Sequence, residues 1–221
     1  MGKSHISMNS LIDFIEASDC KKRNIVRNQK NPPIIKAAKY SSVRHVFSKY
    51  SLNDFDDQVL KDTFERIKKR DTSTQWRKDD VRDSIAAIRH FIRMNFPSTL
   101  KNINCSFAKA TIKECWLSGV QIHVSPDMII KWVKNDKTYV GAVKFRISKS
   151  KLDSTSGITA AALLTHYLKE YYQDENVIVA PQYCLYVDIM EELIYSAPSD
   201  SSFPMSRLVK ACDEINILWK S

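Results

Sequence analysis

The sequence predicts an α+β protein: an N-terminal helical lobe followed by a mixed β-sheet flanked by helices. Three observations predict it. Apolar residues recur at helical spacing through the first hundred residues. After about Asn104, β-branched and aromatic runs alternate with polar residues instead. Helical spacing then returns over about 158–172 and again over the last twenty residues. The change of character near Pro97–Asn104 divides the chain into a helical lobe, 1–103, and an αβ core with a C-terminal helix, 104–221, within one compact unit.

The elements follow in order. Ser10 is a capping residue for a short amphipathic helix carrying Leu11, Ile12, Phe14 and Ile15. The basic stretch CKKRNIVRNQKNPP follows, and Pro32 and Pro33 end it. A second helix is expected over Ile34–Tyr50, with Ile35, Ala38, Val43, Val46 and Phe47 on its apolar side. Asn53 or Asp54 opens DFDDQVLKDTFERIKKR, whose acids precede its bases as the helix dipole favours. A long helix over Lys78–Asn95 stops at Pro97.

The second half reads as strand, turn, strand, turn, strand: FAKATIKECWL, Ser118-Gly119, VQIHVSPDMIIKWV, Asn135-Asp136, TYVGAVKFRIS. A helix over Ile158–Tyr172, capped by Thr155 or Ser156, precedes strands at YCLYVD and ELIYSA and a helix over Pro204–Trp219.

Turn parity fixes which residues meet. With Asn135-Asp136 as the turn pair, Lys134 faces Lys137, and counting outward sets Asp127 across from Lys144. The same count across Ser118-Gly119 sets Glu114 across from His123. Glu114, His123, Asp127, Lys144 and Arg146 would then share the polar, solvent-facing side of one three-stranded meander, where opposite charges pair for ~0.2–1 kcal/mol each. Along that strand Glu114 and Asp127 are four residues out of step, about 13 Å at the usual strand rise.

Composition narrows the function. Four glycines and no G-x-G-x-x-G or Walker pattern exclude Gly-rich phosphate loops. Lys plus Arg exceed Asp plus Glu by 34 to 25, and a net charge of +9 favours a polyanionic partner. Five scattered cysteines (Cys20, Cys105, Cys115, Cys184, Cys212), with no C-x-x-C pair and no His at finger spacing, point to buried thiols in a reducing cytoplasm and not to a zinc finger. No apolar run reaches the ~18 residues of a membrane span, so no membrane partner is expected. The four tryptophans fall in amphipathic patterns and read as packing before base stacking. His45, His90 and His166 lie within helical patterns and read as surface or structural residues, although His166 could face the site.

Pro126-Asp127 ending one strand segment, Ala142-Val143-Lys144 in the next, and the helix AALLTHYLKEYY after it resemble the PD-(D/E)XK phosphodiesterase superfamily, in particular its RecB-like exonucleases. The resemblance covers about Ala108–Asp188. It implies a restriction-endonuclease-like core, with Asp127 as a ligand for Mg²⁺ or Mn²⁺ and Lys144 as base or transition-state cation. The second metal-binding acid of that pattern is replaced by Ala142. Glu114 and Asp188 are the candidate substitutes.

The resemblance and the charge together imply a nuclease-like DNA-binding protein, active or not. Arg23, Arg27 and Lys30 on one side, and Arg146, Lys149 and Lys151 on the other, would contact phosphate. The alternative is a catalytically inactive interaction subunit with a protein partner, in a bacterial or mobile-element assembly such as anti-phage defence.

Overall fold

The computed structural model describes residues 3–32, 40–53, 55–94, 96, 100 and 103–220. The expected helix start at Ile34, with Ile35 and Ala38, the cap at Asp54 and the stop at Pro97 lie outside these residues. Among the described residues are seven α-helices and two mixed sheets.

The first sheet has three strands, β1 (His5–Ser7), β3 (Glu114–Leu117) and β4 (Val120–His123), in the order β1-β4-β3, with β1 parallel to β4. The second has five strands: β2 (Ser106–Ala108), β5 (Met128–Lys134), β6 (Lys137–Arg146), β7 (Val177–Asp188) and β8 (Leu193–Ser196) in sequential order. All its pairings are antiparallel except β6 with β7, which are parallel. Helix α6 (Ser154–Tyr171) makes that crossover, as a parallel connection requires.

Side-chain oxygens hold the starts of four helices. Ser7 caps α1 (Met8–Ile15), accepting from Ser10 N–H at 3.3 Å; the cap therefore lies three residues before the expected Ser10. Asp56 caps α4 (Asp57–Lys68) and Thr74 caps α5 (Gln75–Arg93) in the same way. Asp153 caps α6 through Ser156 N–H at 2.9 Å, in place of the expected Thr155 or Ser156. The remaining helices are α2 (Asp19–Lys30), α3 (Ser41–Leu52) and α7 (Ser202–Lys220).

The five-stranded sheet is covered on both faces. Met128, Ile130, Val143, Phe145, Leu185 and Val187 point to α3, α4 and α5. There Phe145 meets Phe47, Phe91 and Phe96 edge-on, and Phe47 stacks on Phe91 at 4.2 Å. Such pairs contribute about 0.5–1.5 kcal/mol each beyond burial. Ile129, Val140, Ala142, Cys184 and Tyr186 point the other way, to a core shared with α1, α6, α7 and the small sheet. The first hundred residues thus divide between the two faces: β1, α1 and α2 pack with α6 and α7, and α3–α5 cover the opposite side.

Both hairpins have the expected register. Asn135 and Asp136 take positive φ of 51° and 58°, the geometry of a two-residue turn matched to strand twist, and Lys134 pairs with Lys137. Ser118 and Gly119 do the same at 47° and 76°, and Glu114 pairs with His123.

The single meander is not formed. Ser125 has φ 43°, and the chain leaves one sheet after His123 and enters the other at Met128. FAKATIKECWL likewise splits into β2, paired with β5, and β3, paired with β4. Proline at 126 has no N–H for a ladder, which is the physical reason a continuous central strand fails there.

Candidate functional site

Asp127 ends the corner between the two sheets. Its N–H donates to Val143 O at 2.8 Å, which extends the β5–β6 register and sets it across from Lys144 as the turn parity requires. Their charges face one another at 3.5 Å, Lys144 Nζ to Asp127 Oδ2.

The solvent-facing expectation is overturned. The side chains of Asp127 and Lys144 are 8% and 7% exposed, because α1 and α6 cover this face. Lys144 Nζ also donates to Ser125 O at 2.6 Å, and Asp127 Oδ2 accepts from Phe145 N–H at 2.8 Å. Burial lowers the Lys144 pKa from its ordinary value; Asp127 opposes the shift, and Arg44 of α3 adds to it. Arg44 Nε is itself buried without a hydrogen-bond partner.

Two residues along β6 on the same face, Arg146 is 2% exposed. Its Nη1 donates to Asp188 Oδ2 at 2.6 Å and to Ser150 O at 2.9 Å, and Nη2 donates to Ser150 Oγ at 2.8 Å. Asp13 of α1 stands 3.6 Å from Nη2. Asp188 Oδ1 accepts from the N–H groups of Met190 and Glu191. Burial raises the Asp188 pKa, and Arg146 acts against that rise. On the same face Tyr186 donates its hydroxyl to Asn9 Oδ1 at 2.9 Å.

Position 142 lies between Ile129 and Cys184 in the sheet, and its alanine is fully buried. Mg²⁺ and Mn²⁺ take hard oxygen ligands in a near-octahedral shell. The residues here do not fit such an ion. Ala142 supplies no donor, one Asp127 oxygen is committed to Phe145 N–H and the ammonium, and Asp188 is tied to Arg146. Glu114 belongs to the other sheet, exposed, where it accepts a hydrogen bond from Gln121 and lies 3.6 Å from His123.

No protein-family profile and no curated protein sequence matches this chain.

The other expected contacts scatter. Lys149 pairs with Asp83 of α5 at 2.8 Å, and Lys151 is exposed just before α6. Arg146 is held too deeply, and has too many partners, to meet a phosphate in this arrangement. On α2, Arg23, Arg27 and Lys30 are exposed, whereas Lys22 is bound to Glu214 at 2.7 Å. Sequence reasoning missed Arg44, Asn9, Asp13 and Tyr186. Only the strand parity of Tyr186 with Asp188 was visible beforehand, since the three others come from helices whose docking the chain order does not disclose. Among the described residues, the one group of three or more ligand-bearing side chains close enough to share a metal ion is Cys115, His166 and Glu170. It lies away from Asp127, between β3 and α6.

Proposed function

We propose that this chain is a nuclease-like protein that binds the phosphodiester backbone of nucleic acid, DNA foremost, without cutting it by the two-acid metal route. The observation that carries the reading is the charge around Asp127. Alanine stands where the second acid would be, and the Asp127 carboxylate is already engaged by the Lys144 ammonium 3.5 Å away, beside which Arg44 adds further positive charge. Such a setting leaves a divalent cation without its shell of acids, and a phosphate backbone would be met by exposed cations instead. The net charge of +9 and the exposed cations of α2 support the same partner. Free cysteines throughout the described residues suit a cytoplasmic setting. No helix among the described residues is long and apolar enough to cross a membrane.

The test is direct. Purified protein with Mg²⁺ or Mn²⁺ and linear or plasmid DNA should leave the DNA intact, while fluorescence anisotropy shows binding that weakens when the exposed Arg23, Arg27 and Lys30 are changed to glutamine. Cleavage abolished by both Asp127→Ala and Lys144→Ala would overturn the reading.

The interaction-subunit reading shares the loss of cleavage. Phe203 and Ile217 of α7, 64% and 70% exposed, are its specific support, and co-purification of a protein partner lost on Ile217→Asp would favour it.

A further inference from the structure

Cys115 is the inward residue of β3, and α6 packs directly against that strand. His166 and Glu170 are one helical turn apart on α6, so both side chains leave the same side of the helix. The two are 30% exposed each. The ligand atoms of all three residues lie within 4.8 Å of one another. His166 Nε2 is 3.1 Å from Trp116 O, which holds the ring over the strand, and 3.8 Å from Glu170 Oε2.

We propose that Cys115, His166 and Glu170 form a binding site for a zinc-class divalent ion, joining the small sheet to α6. A thiolate, an imidazole and a carboxylate are the donors that borderline-soft Zn²⁺ takes, and three protein ligands leave a fourth position for water. Ligand atoms around tetrahedral zinc are separated by roughly 3.3–3.8 Å, given bonds of about 2.0–2.3 Å. Small rotations of the partly exposed histidine and glutamate would close the remaining gap. Binding replaces the thiol proton: the Cys115 S–H bond breaks, a sulfur–zinc bond forms, and the proton passes to solvent.

This site is distinct in donors and in place from the Asp127 face, which offers only oxygens to a cation. Other uses of the three residues explain less. As a free nucleophile Cys115 is poor, since burial pushes its thiol up to about 12, with Glu170 and Cys212 adding to the effect. As a strut, His166 needs only the Trp116 carbonyl, which leaves the approach of the buried Cys115 sulfur to both helix side chains unexplained.

Cobalt is the probe, because it enters zinc sites and reports both thiolate ligation and geometry in its absorption spectrum. The protein is used in full length with the exposed Cys20 and the partly exposed Cys105 replaced by serine, so that neither thiol competes. Titration with Co²⁺ should saturate at one equivalent with a sulfur-to-cobalt charge-transfer band and visible bands of tetrahedral strength. Zn²⁺ should bleach them. Cys115→Ser should remove the charge-transfer band, and His166→Gln and Glu170→Gln should each weaken binding about tenfold to a hundredfold. Because Cys115 is buried, the two helix variants keep the proposal falsifiable should Cys115→Ser fail to fold. Absence of the charge-transfer band in the parent protein, or cobalt affinity unchanged in both helix variants, would overturn the site.

Discussion

Lys144 spends its charge on the fold. Its ammonium lies against the Ser125 carbonyl and the Asp127 carboxylate with little water around it. Breaking a buried pair from one side leaves an uncompensated charge, which costs on the order of 3 kcal/mol or more. Asp127→Asn keeps an acceptor for Phe145 N–H, and Lys144→Met keeps the stem that fills the space. Each single variant should therefore lose about 3 kcal/mol in urea unfolding, and the double variant should lose clearly less than the sum. Additive losses would show that the two charges do not depend on one another. The pairing of these residues was legible from turn parity alone, because Asn135-Asp136 fixes it. Their burial was not, because the same polar alternation serves a wet sheet face and a face sealed by helices whose docking comes from distant sequence.

At the scale of elements, the joint between α5 and the β7–β8 turn is made by one acid. Glu192, with φ 57° in that turn, accepts from Arg93 Nε at 2.8 Å and meets His90 Nδ1 at 2.8 Å. The Arg93 hydrogen bond first, and the His90 contact second, hold its carboxyl below the usual range. A depressed folded-state pKa means that, between it and the unfolded value near 4.3, the unfolded chain binds more protons. The contribution is thus present above the unfolded pKa and lost as pH falls through the folded one. Glu192→Gln should lower the melting temperature at neutral pH, and the gap to the parent protein should close as the pH falls below the ordinary carboxylate range. A constant gap across that range would refute the assignment. Element identity itself was largely legible: amphipathic spacing marked α4, α5, α6 and α7, and the turn residues marked both hairpins. The division of VQIHVSPDMIIKWV between two sheets was signalled only by Pro126. β1 gave no signal, for three residues carry too little periodicity to be distinguished from a loop.

For the whole molecule, the question is where a polyanion would lie. The deep cations are internally occupied, Arg146 by Asp188 and Lys144 by Asp127, so the proposed affinity would rest on exposed ones. Arg23, Arg27 and Lys30 on α2 are the clearest set. If they contact phosphate, the slope of log affinity against log salt should become shallower by about 3 when all three are changed to glutamine. An unchanged slope would move the interface away from α2. That three of the six basic residues singled out in the sequence remain exposed on one helix, while a fourth is the most deeply held cation of the sheet, shows what charge counting cannot supply. It reports how many cations there are, and the packing decides which of them can meet a partner.

The Lys144–Ser125 contact has a consequence for reading other chains of this architecture. Ser125 belongs to the corner where the backbone passes from one sheet to the other, and a buried ammonium on its carbonyl stabilises that passage whether or not any bond is ever cut. Selection for folding alone would keep a lysine there. A lysine at the equivalent place in a relative is then no sign of enzymatic activity. The informative position is the neighbour two residues earlier, fully buried here as Ala142, where an acid would lose its hydration with no gain to the fold and would call for another reason to be kept.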